Sequence, residues 1–529
     1  MAGTIPQGWV GTLAGERRRR RLIRGNPHAP KRFLANQVYS TESHPQPQRA
    51  GAAQMKLRKT LALAVLLSFA AAALRGQTDD ATKQLARDIF KQLIEVNTTD
   101  SVGSTTVAAE AMAQRLRDAG FPASDAQVLG PNPRKGNLVA RLHGTGAHRP
   151  ILLIGHLDVV EARREEWSVD PFQFLERDGY FYGRGTQDMK SADAIFVSTL
   201  IRFRKEGYRP DRDIILALTA DEETGDSNGV EWLLQNHRDL VDAEFVLNPD
   251  GGGVYTRNGK PAMMSVDASE KLYADYQLEV RNPGGHSSLP VADNAIYHLS
   301  DGIARIERYQ FPFELNGITR AYFRQMATIE SGQVVADMKA ITKNPPDAAA
   351  IARLDADPLS HATMRTTCVA TRLDAGHANN ALPQTARAIV NCRILPGHTA
   401  EEVRRDLIQL LADPKIIVRY VSDAGDILDT APDQPSGAPV SLRPEVMNPL
   451  EKIAKEMWPG VPVIPTMATG ASDGVFTNAA GMPTYAISGL AVDFDDVRAH
   501  GRDERLRVES FFGGLDFYGR FLKALTSPQ

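Results

Sequence analysis

The chain is poor in cysteine, lacks any long apolar run beyond its first eighty residues, and from there on is short of positive charge. Each shortage excludes something. Two cysteines, Cys368 and Cys392, in 529 residues cannot build a disulfide scaffold. Without a further apolar stretch of about 20 residues, positions 77–529 carry no stable membrane span. Of the 61 Lys+Arg and 64 Asp+Glu, positions 1–54 hold nine and two and positions 55–76 hold four and none, so 48 against 62 remain, a net charge of −14. So acidic a surface argues against a nucleic-acid partner. Internal repeats are absent as well. What remains is an ordinary globular composition, 42% hydrophobic and 24% charged, at a length that favours two or more domains.

The front end differs from the rest. Residues 1–54 include the run Glu16-Arg-Arg-Arg-Arg-Arg21 and show no hydrophobic period, the pattern of a disordered extension that need not be translated. From Met55, the basic residues Lys56, Arg58 and Lys59 precede an apolar segment, 61–74, and the small residues Ala71-Ala72-Ala73. That is the layout of a secretory signal peptide over 55–76, with an uncleaved signal anchor as the competing expectation. It makes Met55 the expected start and the protein an exported one, periplasmic or secreted.

Helical spacing is expected over 81–96, 108–119, 191–207 and 226–237, and strands over 136–142, 151–156, 213–218 and 244–247. Residues 163–178 read as a polar loop. Strands alternating with helices point to an α/β fold with a doubly wound mixed sheet. Near Ser269 the pattern changes to strand 272–280, helix 293–309, an irregular stretch 310–365, strands 366–373 and 385–394, helix 400–411 and strand 415–421. This β-α-β-β-α-β order is the split βαβ, ferredoxin-like arrangement, here inserted as an α+β lid or dimerisation domain, 269–424. It divides a catalytic domain into 78–268 and 425–529, the second part returning to α/β spacing with a last helix over 508–525.

The chemistry gathers around Pro150-Ile-Leu-Leu-Ile-Gly-His-Leu-Asp158. Four aliphatic residues form a doubly buried strand, Gly155 lets the chain turn, and His156 and Asp158 follow at the carboxyl end, where open α/β sheets bind ligands. In extended chain a His and an Asp two apart face one side, so the acid can hold one imidazole nitrogen and free the other for a metal. Further metal-capable side chains follow other strands and turns. They are Asp188 in Gly183-Arg-Gly-Thr-Gln-Asp-Met-Lys190, Asp221-Glu222-Glu223, Asp250 in Asn248-Pro-Asp-Gly-Gly-Gly253, and His500 in Ala499-His-Gly-Arg-Asp-Glu504. Singly, each reads as a surface acid or a capping residue.

Together, and in this order over roughly 80–525, these motifs resemble the dinuclear zinc peptidase family of glutamate carboxypeptidases, aminoacylases and Xaa-His dipeptidases. The resemblance implies two Zn2+ ions, with Co2+ or Mn2+ able to substitute. It implies Asp188 as the bridging ligand, His156 and Asp250 completing one site, and Glu223 and His500 the other. Asp158 would be the carboxylate partner of His156, Glu222 the general base, and Asp188-Met189 a cis peptide. In the inserted domain, His286 of Gly284-Gly-His-Ser287 resembles the family's oxyanion-stabilising histidine, which often serves the partner subunit's site. Asn380 of Asn380-Ala-Leu-Pro383 and Arg393 resemble the pair that grips a substrate carboxylate. Three places depart from the family: Gly376-His-Ala-Asn379 where a Gly-Gly pair is usual, Gly470-Ala-Ser-Asp473 for Gly-Gly-Thr-Asp, and Asp250 followed by Gly where some members have Glu followed by Pro.

Cys368 and Cys392 fall on the paired strands of the inserted domain, nearly opposite if the turn centres near residue 380. A cross-strand disulfide and two buried thiols are equally open. The function expected is an exported zinc metallopeptidase of carboxypeptidase or dipeptidase type, cutting an amide beside a free carboxylate. The alternative is an N-acyl amino acid deacylase with the same centre. A non-catalytic binding protein on this fold is remote, because all five ligands and Glu222 are present. Partners are then a small peptide or N-acyl amino acid and, through the lid, a second copy of the chain. N-terminal sequencing of the exported protein should find a first residue close after Ala73; a start within 1–54 would overturn the signal-peptide assignment.

Overall fold

A computed structural model of the protein describes residues 78–422, 425–433 and 439–527. The expected extension and signal peptide, 1–76, lie outside them. The main body is a ten-stranded sheet. Its centre is three parallel neighbours, Ile214–Thr219, Ile151–His156 and Phe245–Asn248, with Thr484–Ala486 parallel beyond them. Their side chains are buried throughout the first three, as unbroken aliphatic runs require when helices cover both faces. Helices Asp80–Glu95, Lys190–Lys205 and Val508–Thr526 close one face, where Phe90, Phe196, Phe511 and Tyr518 share a continuous apolar core with Leu153 and Leu216. Val230–Leu233 and Met482 cover the opposite face over Leu152, Ile154 and Ile215.

The second sheet is antiparallel, in the order Thr367–Ala375, Thr385–Ile394, Leu272–Arg281, Ile417–Val421, Ile427–Leu428. Helices Ala295–Arg308 and Ala400–Leu411 pack on one of its faces over Tyr276, Leu278 and Val390. The second helix starts with a capping box, in which Thr399 and Glu402 exchange side-chain and backbone hydrogen bonds. Among the described residues, no helix is long and apolar enough to cross a membrane.

Two stretches read as irregular are ordered. Within 310–365 the chain forms four short helices, Gly317–Met326, Gln333–Ile341, Ala348–Leu354 and Pro358–Met364. Asn316, Asp347 and Asp357 cap three of them with side-chain oxygens. Their apolar residues Phe323, Met338 and Leu354 pack with Met263 and Ile464 of the large sheet, although this segment lies in sequence between strands of the smaller one. Helices of seven to ten residues offer two turns of period at most, too little to stand out from composition. Within 163–178, and just after it, Leu175–Arg177 and Tyr180–Tyr182 pair with each other and with Arg505–Arg507 in a three-stranded sheet.

Cys368 and Cys392 stand directly opposite each other and are joined as a disulfide. The bond closes a loop spanning 24 positions. Loop-closure entropy for that length corresponds to about 3 kcal/mol. Replacing both cysteines by serine should therefore lower the urea midpoint by the equivalent of roughly 2–3 kcal/mol. In the wild-type protein, iodoacetamide should label both cysteines only after denaturation with reductant; labelling of the denatured, unreduced chain would show free thiols.

Candidate metal centre

The three central parallel strands end side by side, and each delivers part of one cluster. His156 is the last residue of its strand, Asp221-Glu222-Glu223 follow Thr219, and Asp250 follows Asn248. Gly155 is needed here because a Cβ would lie 2.3 Å from Asp193 Oδ1, on the helix packed beneath. The Glu222 turn is tight: Asp221 has φ +57°, and a Cβ on Gly225 would fall 2.1 Å from the Asp221 carboxylate. His500 also holds a left-handed backbone, φ +62°, a conformation that costs a non-glycine residue about 1–3 kcal/mol. The Asp188–Met189 peptide is cis.

His156 is almost fully buried. Its Nδ1 lies 3.0 Å from the backbone carbonyl of Asp158. A carbonyl only accepts, so Nδ1 carries a proton and, in the neutral ring, Nε2 is the nitrogen free to bind a metal. That nitrogen faces Asp188 Oδ1 at 3.0 Å. Asp188 Oδ2 faces His500 Nε2 at 3.1 Å, and the same Nε2 lies 2.9 Å from Glu223 Oε2. One carboxylate thus spans two imidazoles. His156, Asp188 and Glu223 can bring ligand atoms within 4.8 Å of one another, and so can His156, Glu222 and Asp250. All five expected ligands and the expected base therefore meet in one place, with Glu222 as close to His156 and Asp250 as a ligand would be.

The partner expected for His156 is different in detail. The Asp158 carboxylate stands 3.8 Å from Nδ1, and the backbone carbonyl of the same residue makes the contact instead. The carboxylate accepts from the backbone N–H groups of Glu222 at 3.2 Å and Glu223 at 2.9 Å. Asp158 therefore shapes the glutamate turn. Burial raises its pKa to about 6, against the charge of His156 and those two N–H bonds.

Other residues, not singled out in the sequence, hold the cluster. Glu504 is fully buried and ion-paired to Arg184 at 2.6 Å. It accepts from the N–H groups of Gly185, Gln187 and Asp188, so one carboxylate fixes the whole turn before Asp188. Gln187 accepts from Arg498 N at 2.7 Å and Ala499 N at 3.1 Å, tying that turn to the loop of His500. Asp473 accepts from Asn228 Nδ2 at 2.6 Å and Thr219 Oγ1 at 3.2 Å beside the glutamate turn. Lys190 is buried, donating to Leu93 O and Val96 O. The signal for Glu504 was present in the motif around His500, but apart from Arg184 its partners are backbone groups that no motif displays.

The electrostatics call for cations. Burial, then the charge of Asp250, pushes Glu222 well above the ordinary carboxyl range. Burial, then the charge of Asp188, pushes Asp250 up to about 8. Hydrogen bonds to Asp188 and Glu223 raise His500 to about 10. Burial works against a charged His156, but the Asp188 hydrogen bond and the charges of Glu222, Asp188 and Asp158 hold its pKa well up. Imidazole lone pairs facing carboxylates at 3 Å need a positive charge between them, a proton or a metal. The imidazole and carboxylate donors suit a borderline divalent ion such as zinc. The residues present fit the implied group.

His286, Asn380 and Arg393 belong to other elements. His286 is exposed, on a short strand pair with Ala381, and its Nδ1 accepts from Ser288 N. Ser287 N donates to Asn380 O at 3.1 Å, so these two sites are neighbours. The Arg393 guanidinium lies over the Tyr273 ring at 4.6 Å. Among the described residues, none of their hydrogen bonds or ion pairs reaches the metal-capable cluster.

A mixed sheet whose parallel strands end in paired histidines and carboxylates, around one carboxylate shared by two imidazoles, is the framework of a metal-dependent hydrolase. Residues 152–524 match the model of Peptidase family M20/M25/M40, and the chain belongs to that family. It is 30% identical over 376 residues to N-fatty-acyl-amino acid synthase/hydrolase PM20D1 of Xenopus tropicalis, covering 70% of this chain and 71% of the relative. It is 27% identical over 396 residues to the probable carboxypeptidase S-like 2 of Dictyostelium discoideum, covering 71% of each. Its fold matches that of the M20 family metallo-carboxypeptidase Sso-CP2 from Sulfolobus solfataricus, with TM-score 0.62 at 16% identity over 85% of this chain and 99% of that one.

Because Asp250 and His500 both have raised pKa values, the cation-free fold is favoured in acid and weakens as pH climbs. The window runs from the ordinary carboxyl value near 4 to about 8, where Asp250 titrates in the fold. The chelated protein should therefore melt progressively lower between pH 5 and pH 8. Adding Zn2+ at a hundred times its Kd should restore about 2.7 kcal/mol. Melting curves that ignore both pH and Zn2+ would refute this account of the cluster.

Proposed function

We propose that the protein is an exported, zinc-dependent hydrolase that cleaves an amide bond whose amine side is an amino acid with a free carboxylate. The observation that carries this is the Asp188 carboxylate set between His156 and His500, with Glu222 beside it. In this reading His156, Asp188 and Asp250 hold one ion, and Asp188, Glu223 and His500 the other. Two such ions, when bound, supply the positive charge that acidifies water and polarises a carbonyl.

The chain's own residues do the rest. Glu222 takes a proton as water oxygen bonds to the carbonyl carbon. It then delivers that proton to the nitrogen as the C–N bond breaks, leaving a carboxylic acid and an amine. Its backbone N–H is held by Asp158, which fixes where the carboxylate can reach. His286 supplies a donor to the oxyanion from its short strand pair with Ala381. Arg393 offers a planar fork to the substrate carboxylate, supported by Asn380. The strand Thr367–Ala375 lies at the edge of its sheet with Val369 and Leu373 exposed, a surface suited to pairing with a second copy.

Both a dipeptide or carboxypeptidase substrate and an N-acyl amino acid satisfy this chemistry. The second is favoured by the relative named for N-fatty-acyl-amino acids. A panel of dipeptides and N-acyl amino acids, with and without chelator, separates the two. Glu222→Gln should lower kcat by about 10²–10⁴ while metal content and melting temperature stay near wild type. Hydrolysis that persists in both the chelated enzyme and Glu222→Gln would exclude the mechanism.

A further inference from the structure

Lys271 is the single residue between the strand Lys260–Glu270 of the large sheet and Leu272–Arg281 of the second. It is completely buried, yet among the described residues the one hydrogen bond of its ammonium group is to Thr367 Oγ1 at 3.4 Å. Arg184 meets Glu504, Arg365 meets Asp355 and Lys135 meets Asp221, while the other fully buried lysine, Lys190, is held by two backbone carbonyls at 3.0 and 2.9 Å. Among the described residues no carboxylate pairs with Lys271. Its charged neighbour is a second cation, Arg393. Burial, then repulsion from Arg393, lowers the Lys271 pKa to about 7.

Arg393 is in the same position. No carboxylate among the described residues pairs with it, and its guanidinium rests on Tyr273. The register explains the grouping. Arg393 stands directly opposite Tyr273 on one side and Thr367 on the other, so the three share a face of the sheet. Lys271, two residues ahead of Tyr273, reaches that face through Thr367. Two cations of one cluster, one buried and one half-buried, lack the counter-charge that buried ions require. The cluster is short of one anion.

We propose that Lys271 is a specificity-determining residue, which together with Arg393 forms a two-cation site for the free carboxylate of the substrate. Arg393 meets the carboxylate from the half-exposed side with its fork. Lys271 lies behind it and holds a second positive charge once the anion is present. The inference rests on the reading above that the substrate carries a free carboxylate adjacent to the cleaved bond.

The test compares an N-acyl amino acid or dipeptide with its C-terminal amide, using wild type, Lys271→Met and Lys271→Arg. Lys271→Met should raise KM for the acid about tenfold, with kcat within about twofold and the amide unaffected. Lys271→Arg, which keeps the charge, should retain the preference for acid over amide within about twofold. A Lys271→Met variant that loses acid and amide equally, or keeps the wild-type KM for the acid, overturns the proposal. If Lys271→Met does not fold, Lys271→Arg decides: loss of the acid preference despite the retained charge overturns it. A wild type that hydrolyses the amide as readily as the acid fails the carboxylate reading itself, a separate result.

Discussion

Everything at the centre of this protein depends on two imidazole nitrogens aimed at one carboxylate. His156 is committed by its Nδ1 contact to a backbone carbonyl, so in its neutral form its other nitrogen would face Asp188 as an acceptor facing an acceptor. His500 meets the second oxygen of Asp188 and both oxygens of Glu223. Without positive charge between them, such contacts repel. Protonating the histidines is one remedy, and the raised pKa values of His156 and His500 express that demand. Divalent ions are the other, and they also relieve the crowding that drives Glu222 and Asp250 upward. The fold therefore stores an unmet need for cations, and the chemistry of the family follows from how that need is met.

Holding such a cluster takes rigid surroundings, because every member would relax away from its neighbours. The rigidity comes from residues that touch no ligand atom. Asp158 fastens the backbone under Glu222 and Glu223, and Glu504 fastens the backbone N–H groups of Gly185, Gln187 and Asp188. Gln187 joins the Asp188 turn to the His500 loop, which lies more than three hundred positions away. Each of these is a carboxylate or amide satisfied by backbone N–H groups. Burying them is tolerable because their hydrogen bonds are complete, and completeness is what fixes geometry to the tolerance that metal sites need.

How far the sequence revealed this depends on the kind of contact. The central strands were legible because a strand buried on both faces must be an unbroken aliphatic run, as Ile151 to Ile154 is. His156, Asp188, Glu222, Glu223, Asp250 and His500 were legible because metal-capable side chains at strand ends are few and their order matched a family. Asp158 was found, but for a contact its backbone makes. Glu504 and Gln187 were missed because, apart from Arg184 on Glu504, their partners are backbone groups, which every sequence offers everywhere. The helices between 317 and 364 were missed because each is short and borrows its stability from Met263 and Ile464 on the large sheet. Amphipathic period needs length, and tertiary packing can replace it.

The groups proposed to act on substrate are split between two sheets and a short strand pair. Metal-capable residues and Glu222 rise from the large sheet, Arg393 stands on a strand of the second, and His286 and Asn380 lie on and beside a separate two-stranded pair within the inserted segment. The connection of the two sheets at Glu270-Lys271-Leu272 is not a loose linker. Glu270 accepts from Ser472 N at 3.0 Å and Ser472 Oγ at 2.9 Å, and Lys271 N donates to Ala468 O. Ser472 precedes Asp473, which is hydrogen-bonded to Asn228 and Thr219 at the glutamate turn. A continuous set of hydrogen bonds therefore runs from the joint between the sheets to the segment that carries Glu222. On the proposed reading, a substrate carboxylate held at Arg393 would be held by a strand of the sheet anchored through that joint. Placing a bound carboxylate and the base in register would then be a property of the connection as much as of either sheet, and the proposed two-cation site would give the burial of Lys271 at that connection a purpose.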